Sequence, residues 1–263
     1  MESYSSINAI VDFRDASSSV ISLRGFSSSS PWQLFVGGSS VATGVALIGL
    51  NVWHIIEVHI KIHGSTGLFH FRVDGLDDAI FTGNTAVVAS NVTRFSAGIS
   101  GSGYNLDDII LNDITGTINN SWMGGAKIVA LRPIGPGNQT QWTPSAGLNW
   151  QCVDEVPISI TDYVSGNIVG MLDLYDLAGL PAGICSDATM LGVKVFNSAA
   201  RSGITVSYIE NSLRTNDSTV FSSVITATSV PIVQSTIWDL NPVTGTTWTY
   251  TDINALEAGV KVA

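Results

Sequence analysis

The richest run of chemistry-bearing side chains in the sequence is GYNLDDIILND, which holds Asp107, Asp108 and Asp113 beside Tyr104 and two asparagines. Carboxylate and amide oxygens of this kind bind calcium when loops gather them, although the spacing differs from that of an EF-hand loop. Asp107 and Asp108 are adjacent, so an extended chain directs them to opposite faces, and either can instead brace a turn through backbone N–H groups. The residues alone therefore allow a calcium site at Asp107 and Asp108 or a structural role.

Catalytic arrangements have weaker support in the sequence. A glycosidase needs two acids that flank the scissile bond, and Glu57 in IIEVHI has no partner carboxylate at a workable spacing. Asp154 and Glu155 are adjacent and diverge if extended. There is no G-x-S-x-G elbow, and GISGSGYN opens no helix that would cradle a phosphate. We therefore expect a protein without enzymatic activity and without a bound cofactor other than calcium.

The four histidines, His54, His59, His63 and His70, all fall in one predicted β-hairpin. His59 and His63 lie about 13 Å apart along an extended strand, too far to share one metal ion. His59 and His70 can meet across the hairpin, but a zinc site would need a third protein ligand. We expect a solvated polar face at this position.

The elements that position these residues have the pattern of β-strands. Segment 52–63, VWHIIEVHIKIH, alternates apolar and polar residues, and GLFHFRVDG repeats the alternation after a turn at HGST, which predicts an antiparallel hairpin. The face predicted to be buried carries Val52, Ile56, Val58, Ile60 and Ile62, and the wet face carries Glu57, His59, Lys61 and His63.

Further strands are predicted on both sides of this hairpin. INAIVDF, SVISLRG and WQLFVGG precede it, and IIL at 109–111 follows it as a strand that closes the first sandwich. KIVALRPI at 127–134 is strand-like, and the Gly/Pro/Asn-rich stretch after it is predicted to be a linker. DATMLGVKVFN, GITVSYIEN and VPIVQSTIW then predict strands of a second β domain.

The C-terminal stretch predicts one short helix. Thr251 can cap it, residues 252–258 can form it, and Gly259 can end it. The domain organisation predicted from all these segments is a first domain at 1–118, a connecting strand and linker at 119–149, and a second domain at 150–263.

Composition excludes two classes of partner. The net charge is −10, from 11 basic and 21 acidic residues, and no Lys/Arg cluster exists that would bind a phosphate backbone. No run reaches the ~18 apolar residues of a membrane span, and MESYSSINAIVDF lacks the pattern of a secretory signal. We expect synthesis in a cytoplasm, with neither nucleic acid nor membrane as partner.

Cys152 and Cys185 allow two free thiols or a disulfide.

Two segments carry a resemblance to a known family. VWHIIEVHIKIHGSTGLFHFRVDG, followed by GYNLDDIILNDITG, resembles the concanavalin A-like (laminin-G-like) jelly roll over roughly residues 6–115. The opening strand group of that fold is missing, which implies an abbreviated sandwich with an edge for another chain to cover. The implied fold is all-β: an abbreviated jelly-roll sandwich, then a second β-sandwich domain with a short C-terminal helix. In lectin-like relatives the position of Asp107 and Asp108 is near a calcium and sugar site.

The rest of the chain is similar to tailed-bacteriophage virion structural proteins. The similarity lies in TGTINNSWMGGAKIVALRPIGPGNQTQWTPSAGLNWQCVDEVP and in the closing segment WDLNPVTGTTWTYTDINALEAGVKV. It implies a surface-exposed virion component, either a capsid decoration or a tail, neck or fibre protein. Such a protein binds other virion proteins and forms a homo-oligomer.

A carbohydrate-binding module that contacts the host surface is the alternative function. Aromatic rings that stack on sugars would carry this function. The two functions are compatible, because a virion appendage can also bind a host glycan. The candidate rings are Tyr104, Trp122, Trp142 and Trp32.

Overall fold

A computed structural model describes residues 9–16, 18–25, 29–49, 51–98 and 105–263. The described chain is built from antiparallel strands, with a 3-10 turn and one short α-helix near the C-terminus, so the predicted all-β fold class is confirmed. The chain divides into two compact units, Met1–Ile128 and Val129–Ala263. The division falls inside the stretch 119–149.

The first unit contains two antiparallel sheets. One has the order β4-β3-β2-β1-β8 and the other the order β5-β6-β7. The strands are β1 (Ala9–Arg14), β2 (Ser19–Arg24), β3 (Gln33–Val36), β4 (Ser39–Thr43), β5 (Ile56–Lys61), β6 (Gly67–Val73), β7 (Leu76–Gly83) and β8 (Arg94–Ala97).

The two sheets of the first unit enclose one hydrophobic core. Ile21, Leu23 and Leu34 from the larger sheet lie in the same buried cluster as Phe69 and Phe71 from the smaller one. Every second side chain of β6 is buried, which is the alternation expected of a strand with one face on the core. The unit is therefore a sandwich of a five-stranded and a three-stranded sheet.

The predicted hairpin is confirmed as β5 and β6, with His59 directly opposite His70. Asp74 and Gly75 both have positive φ and join β6 to β7 as a two-residue turn. Turns of this kind require left-handed backbone at both positions, and Asp-Gly is a favoured pair for them. The V-D-G end of the hairpin therefore fixes the register of β7.

Two predictions about this hairpin are wrong. Val52 lies before the first strand and is 63% exposed, because the chain does not enter the sheet until Ile56. Glu57, predicted on the wet face, is only 9% exposed, because its carboxylate accepts a hydrogen bond from Gly124 N–H in a segment that lies against the sheet.

The predicted strand at 109–111 is also wrong. Residues 105–113 pair with no strand in the described chain, and Ile109 and Leu111 are largely exposed. The apolar residues of this run resemble a buried strand in sequence. They have no neighbouring strand that would cover them.

The second unit contains one large sheet and two ribbons. The sheet has the order β15-β14-β18-β12-β9 with β16 beside β14, and the ribbons pair β10 with β11 and β13 with β17. The strands are β9 (Pro133–Thr140), β10 (Thr143–Pro144), β11 (Val164–Ser165), β12 (Leu172–Leu177), β13 (Val193–Ala199), β14 (Ser207–Thr215), β15 (Ser218–Phe221), β16 (Ile225–Ala227), β17 (Ile232–Trp238) and β18 (Glu257–Val262). A 3-10 helix spans Asn149–Cys152 and α1 spans Tyr250–Asn254.

The core of the second unit lies between the large sheet and the β13–β17 ribbon. Leu213 of β14 is fully buried and clusters with Trp248 and Leu256. Val193 and Trp238, which face each other in the ribbon, pack on this cluster. The three strands predicted from DATMLGVKVFN, GITVSYIEN and VPIVQSTIW are confirmed as β13, β14 and β17.

Other expectations for the second half are corrected. Residues 127–132 form no strand, whereas the Gly/Pro-rich stretch predicted as a linker forms β9. Prolines are tolerated there because β9 is at the edge of its sheet.

The cap of α1 is Thr249 instead of Thr251, and Gly259 lies inside β18. Both cysteines are free thiols, with Cys152 buried and Cys185 exposed.

Candidate functional site

The outer face of sheet β5–β6–β7 carries a dense group of ionisable and aromatic side chains. Alternation along β5 and β6 places Glu57, His59, His70 and Arg72 on the side away from the core. Trp122, from the segment after the β strands of this unit, lies against them. The ring centroids of Trp122 are 5.7 Å from His59 and 5.0 Å from His70, in edge-on arrangements.

Arg72 is the central charge of this face. Its guanidinium carbon lies over the Trp122 ring, 4.8 Å from the centroid. Its nitrogens lie 3.6 Å from Glu57 Oε2 and 3.2 Å from Asp77 Oδ1. Asp77 also lies 2.8 Å from His70 Nε2. Trp122 thus contacts Arg72 and His70, which form a polar network with Glu57 and Asp77, and its ring also meets His59.

Segment 122–124 closes this network from one side. Gly124 N–H donates to Glu57 Oε1 over 2.8 Å, while Glu57 Oε2 is buried and accepts no hydrogen bond within the described structure. Trp122 itself is only partly buried. Of the predicted sugar-stacking residues, Trp122 is the one that combines a part-exposed ring with several hydrogen-bonding neighbours.

The other aromatic candidates have different surroundings. Trp32 is 2% exposed and stacks on Phe71 in the core, so it cannot meet a sugar and that prediction is wrong. Trp142 is partly buried: its Nε1–H donates to Met171 O over 3.1 Å, and its ring lies against Gly166, where a Cβ would approach to 2.7 Å. Tyr104 lies outside the described residues.

Asp107 and Asp108 accept hydrogen bonds from backbone N–H groups. Asp107 Oδ1 accepts from the backbone N–H of Asp108, which has a φ of 51°. Asp108 Oδ1 accepts from Ile128 N–H over 2.7 Å. Asp113 accepts from the backbone and hydroxyl of Thr115, which lowers the pKa of its carboxyl. The described residues contain no group of three or more His, Cys, Asp or Glu arranged to hold a metal ion, and the calcium site at Asp107 and Asp108 stays a prediction.

A buried polar centre in the second unit was not predicted from the sequence. Asp173 is fully buried, and its Oδ1 accepts from the backbone N–H groups of Gln141 and Trp142 at 2.6 and 2.8 Å. Its Oδ2 accepts from Asn149 Nδ2 and from the Tyr175 hydroxyl. The alternation in LDLYDL places Asp173 and Tyr175 on one face, which is the only sequence signal for this pair.

Several exposed apolar side chains lie on the β6–β7 hairpin or on the loops that hydrogen-bond to its Asp74 and Asp78. We call this group the apolar tip. Its members, with their exposed fractions, are Val45 (79%), Leu47 (56%), Val52 (63%), Trp53 (70%) and Leu76 (75%).

Hydrogen bonds hold the loops of the apolar tip in place. Asp78 Oδ1 accepts from the backbone N–H groups of Val45 and Ala46. His54 Nδ1 lies 2.8 Å from Asp74 Oδ2, and His54 Nε2 accepts from Gly49 N–H. The apolar side chains are therefore presented on fixed backbone. Sequence alternation had placed Val52 in the core, so this surface was missed.

Comparisons with known proteins give no match: no family model, no curated protein and no solved structure is similar to this chain. No helix within the described ranges has the length and apolarity of a membrane span.

Proposed function

We propose that this protein is a non-enzymatic structural component of a bacteriophage virion, exposed on the capsid, tail, neck or fibre. Its role is to join other virion proteins through β-sandwich surfaces. The resemblance of the sequence to virion proteins motivates the proposal, and one structural observation supports it: the apolar tip.

The apolar tip has the chemistry of a protein contact site. Apolar side chains scattered singly are ordinary on a surface, but several on adjacent, hydrogen-bonded loops are typical of an interaction surface. Trp53 at 70% exposure is the kind of residue that anchors such contacts. Because backbone and His54–Asp74 bonds already order the loops, little conformational entropy is lost on binding.

Virion incorporation tests this proposal. In the phage that encodes the chain, a variant with Trp53→Ser and Leu76→Ser should be present in purified virions at a small fraction of the wild-type copy number. Ile204→Ser is the matched control, because Ile204 is 99% exposed but lies in the second unit. Wild-type protein absent from virions, or full incorporation of the double variant, contradicts the proposal.

Glycan binding at Trp122 is the second candidate function. It is favoured by the part-exposed ring, with hydrogen-bonding groups of His59, Arg72 and Asp77 beside it. Sugars bind where an aromatic ring is bordered by such polar groups. A glycan array should then give binding that Trp122→Ala abolishes and that Trp53→Ala retains. An array with no binding by wild-type protein, with and without calcium, removes this function.

A further inference from the structure

Strand β17 is an edge strand without the usual protection against pairing. Natural edge strands are commonly blunted by charges or prolines, because their unpaired backbone groups otherwise recruit another strand. Among the described edge strands of six residues or more, all the others carry such residues: Glu57 and Lys61 in β5, Asp77 and Asp78 in β7, Pro133 and Pro136 in β9, and Lys194 in β13. The sequence of β17, IVQSTIW, contains none of them.

The outer face of the β13–β17 ribbon exposes three large apolar side chains among polar ones. Val193, Val195 and Trp238 point to the core, so the opposite face carries Lys194, Ser198 and Ser235 together with Phe196, Val233 and Ile237, of which the last three are 52%, 63% and 60% exposed. A half-buried antiparallel ribbon normally has polar residues on its solvent side. Two of the three, Val233 and Ile237, lie on the edge strand β17 itself with Ser235 between them, and Phe196 lies opposite Ser235 on β13.

The charge distribution permits a second copy of this chain as the partner of this edge. The chain carries a net charge of −10, so two copies repel each other unless they meet where carboxylates are absent. Neither β13 nor β17 contains an acidic residue, and Lys194 is the only charge on the ribbon. The ribbon is thus a surface on which two copies of this chain can approach without opposing carboxylates.

We propose that β17 pairs antiparallel with β17 of a second copy, so that two ribbons form one four-stranded sheet about a two-fold axis. Ser235 lies at the middle of Ile232–Trp238, and placing it on the axis sets Val233 of each copy opposite Ile237 of the other. This register sets exposed apolar side chains of the two copies against each other. The inference rests on the proposed role as an assembly protein and names the surface through which copies associate.

The oligomeric state of the full chain tests this pairing. Light scattering after size exclusion should give a dimer at concentrations on the order of 10 µM or above. Ser235→Lys sets two ammonium groups against each other on the axis, and it should raise the dimer dissociation constant about tenfold or more. Ser40→Lys on β4, another exposed edge serine, should leave it unchanged. A monomer at every concentration, or a dimer insensitive to Ser235→Lys, overturns the proposal.

A disulfide crosslink tests the same pairing without the Ser235→Lys variant, whose folding could be impaired. Side chains directly opposite in an antiparallel pair have Cβ atoms about 4.5–5.5 Å apart, close to the span of a disulfide. With the exposed thiol removed by Cys185→Ser, Ser235→Cys should give a disulfide-linked dimer on mild oxidation, and Ser40→Cys should not. Absence of the Ser235→Cys dimer overturns the pairing.

The two proposals fail separately. A β17-dependent dimer that never enters virions contradicts the virion role and leaves the pairing intact. Virion incorporation of a chain that stays monomeric contradicts the pairing alone.

Discussion

The hydroxyl of Tyr175 donates a hydrogen bond of 3.0 Å to the carboxylate of Asp173, two residues earlier on the same face of β12. Burial is the main cause that raises the pKa of Tyr175 far above its ordinary value, and the neighbouring Asp173 charge adds to it. Tyr175 therefore stays a neutral donor. Together with Asn149 and two backbone N–H groups, it surrounds a fully buried carboxylate with donors.

Asp173→Asn should therefore destabilise the second unit strongly. The amide has one acceptor oxygen, so at least one of the donors around position 173 loses its partner in the interior. We expect a loss of about 3 kcal/mol in the free energy of unfolding, measured by urea denaturation.

Tyr175→Phe is the comparison for this variant, because it removes one donor and leaves the carboxylate with three. Its expected cost is about 1 kcal/mol. Equal stability of wild type and Asp173→Asn would contradict the role assigned to this carboxylate.

The His54–Asp74 pair predicts a pH dependence in the first unit. The hydrogen bond from His54, followed by that from Ile55 N–H, lowers the pKa of Asp74 below its ordinary value of 3.8. A lowered pKa in the folded state means that the Asp74 charge stabilises the fold above pH 3.8, and this contribution is lost as pH falls through the folded-state pKa.

Asp74→Asn isolates this contribution, because asparagine also accepts the left-handed backbone that the turn requires. The variant should be less stable than wild type at neutral pH, by less than about 1 kcal/mol because the pair is partly exposed. Denaturation at a series of pH values should show the difference shrinking below about pH 4. A difference that grows toward acid pH would have the wrong sign.

Trp122 and Glu57 should be energetically coupled, because both hold segment 122–124 on the sheet. Trp122→Ala removes contacts with Arg72, His59 and His70, for an expected loss of about 1–2 kcal/mol. In a double-mutant cycle with Glu57→Gln, the two losses should deviate from additivity by about 0.5 kcal/mol or more. Trp53→Ala, at an exposed tryptophan, should change stability by no more than about 0.5 kcal/mol.

The cap of α1 gives a test that separates two neighbouring threonines. Thr249 Oγ1 accepts from Asp252 N–H, and the Asp252 carboxylate accepts from Thr249 N–H. Thr249→Ala should therefore cost about 1 kcal/mol in thermal or urea unfolding, whereas the exposed Thr251→Ala should be close to neutral. A larger cost at Thr251 would restore the cap predicted from the sequence.

Local patterns were sufficient to predict the strands whose alternation matches their burial. The β5–β6 pair, β13, β14 and β17 could be predicted because one face of each packs on a core, and the apolar residues at alternate positions indicate that face. Strand β9 was missed, because its prolines and glycines are typical of a loop and only its edge position makes them acceptable.

The surroundings of the candidate site could not be predicted from the sequence, because they depend on contacts between residues that are distant along the chain. The burial of Glu57 comes from Gly124, 67 residues later, which no alternation within β5 can indicate. Trp122 was identified as a candidate from its residue type, but its position over His59 and His70 follows from the path of the intervening chain. Asp107 and Asp108 were expected beside a strand, and the residues after them form none.

The position of β18 has a consequence for synthesis on the ribosome. This strand lies between β14 and β12, and both emerge from the exit tunnel before it does. Until residues 257–262 have emerged, those two strands lack the neighbour that joins them. The nascent second unit then exposes two open strand edges, and unpaired edges of this kind are prone to aggregation. The second unit therefore completes its sheet only after β18 is available, and it does so by long-range pairing, which is slow.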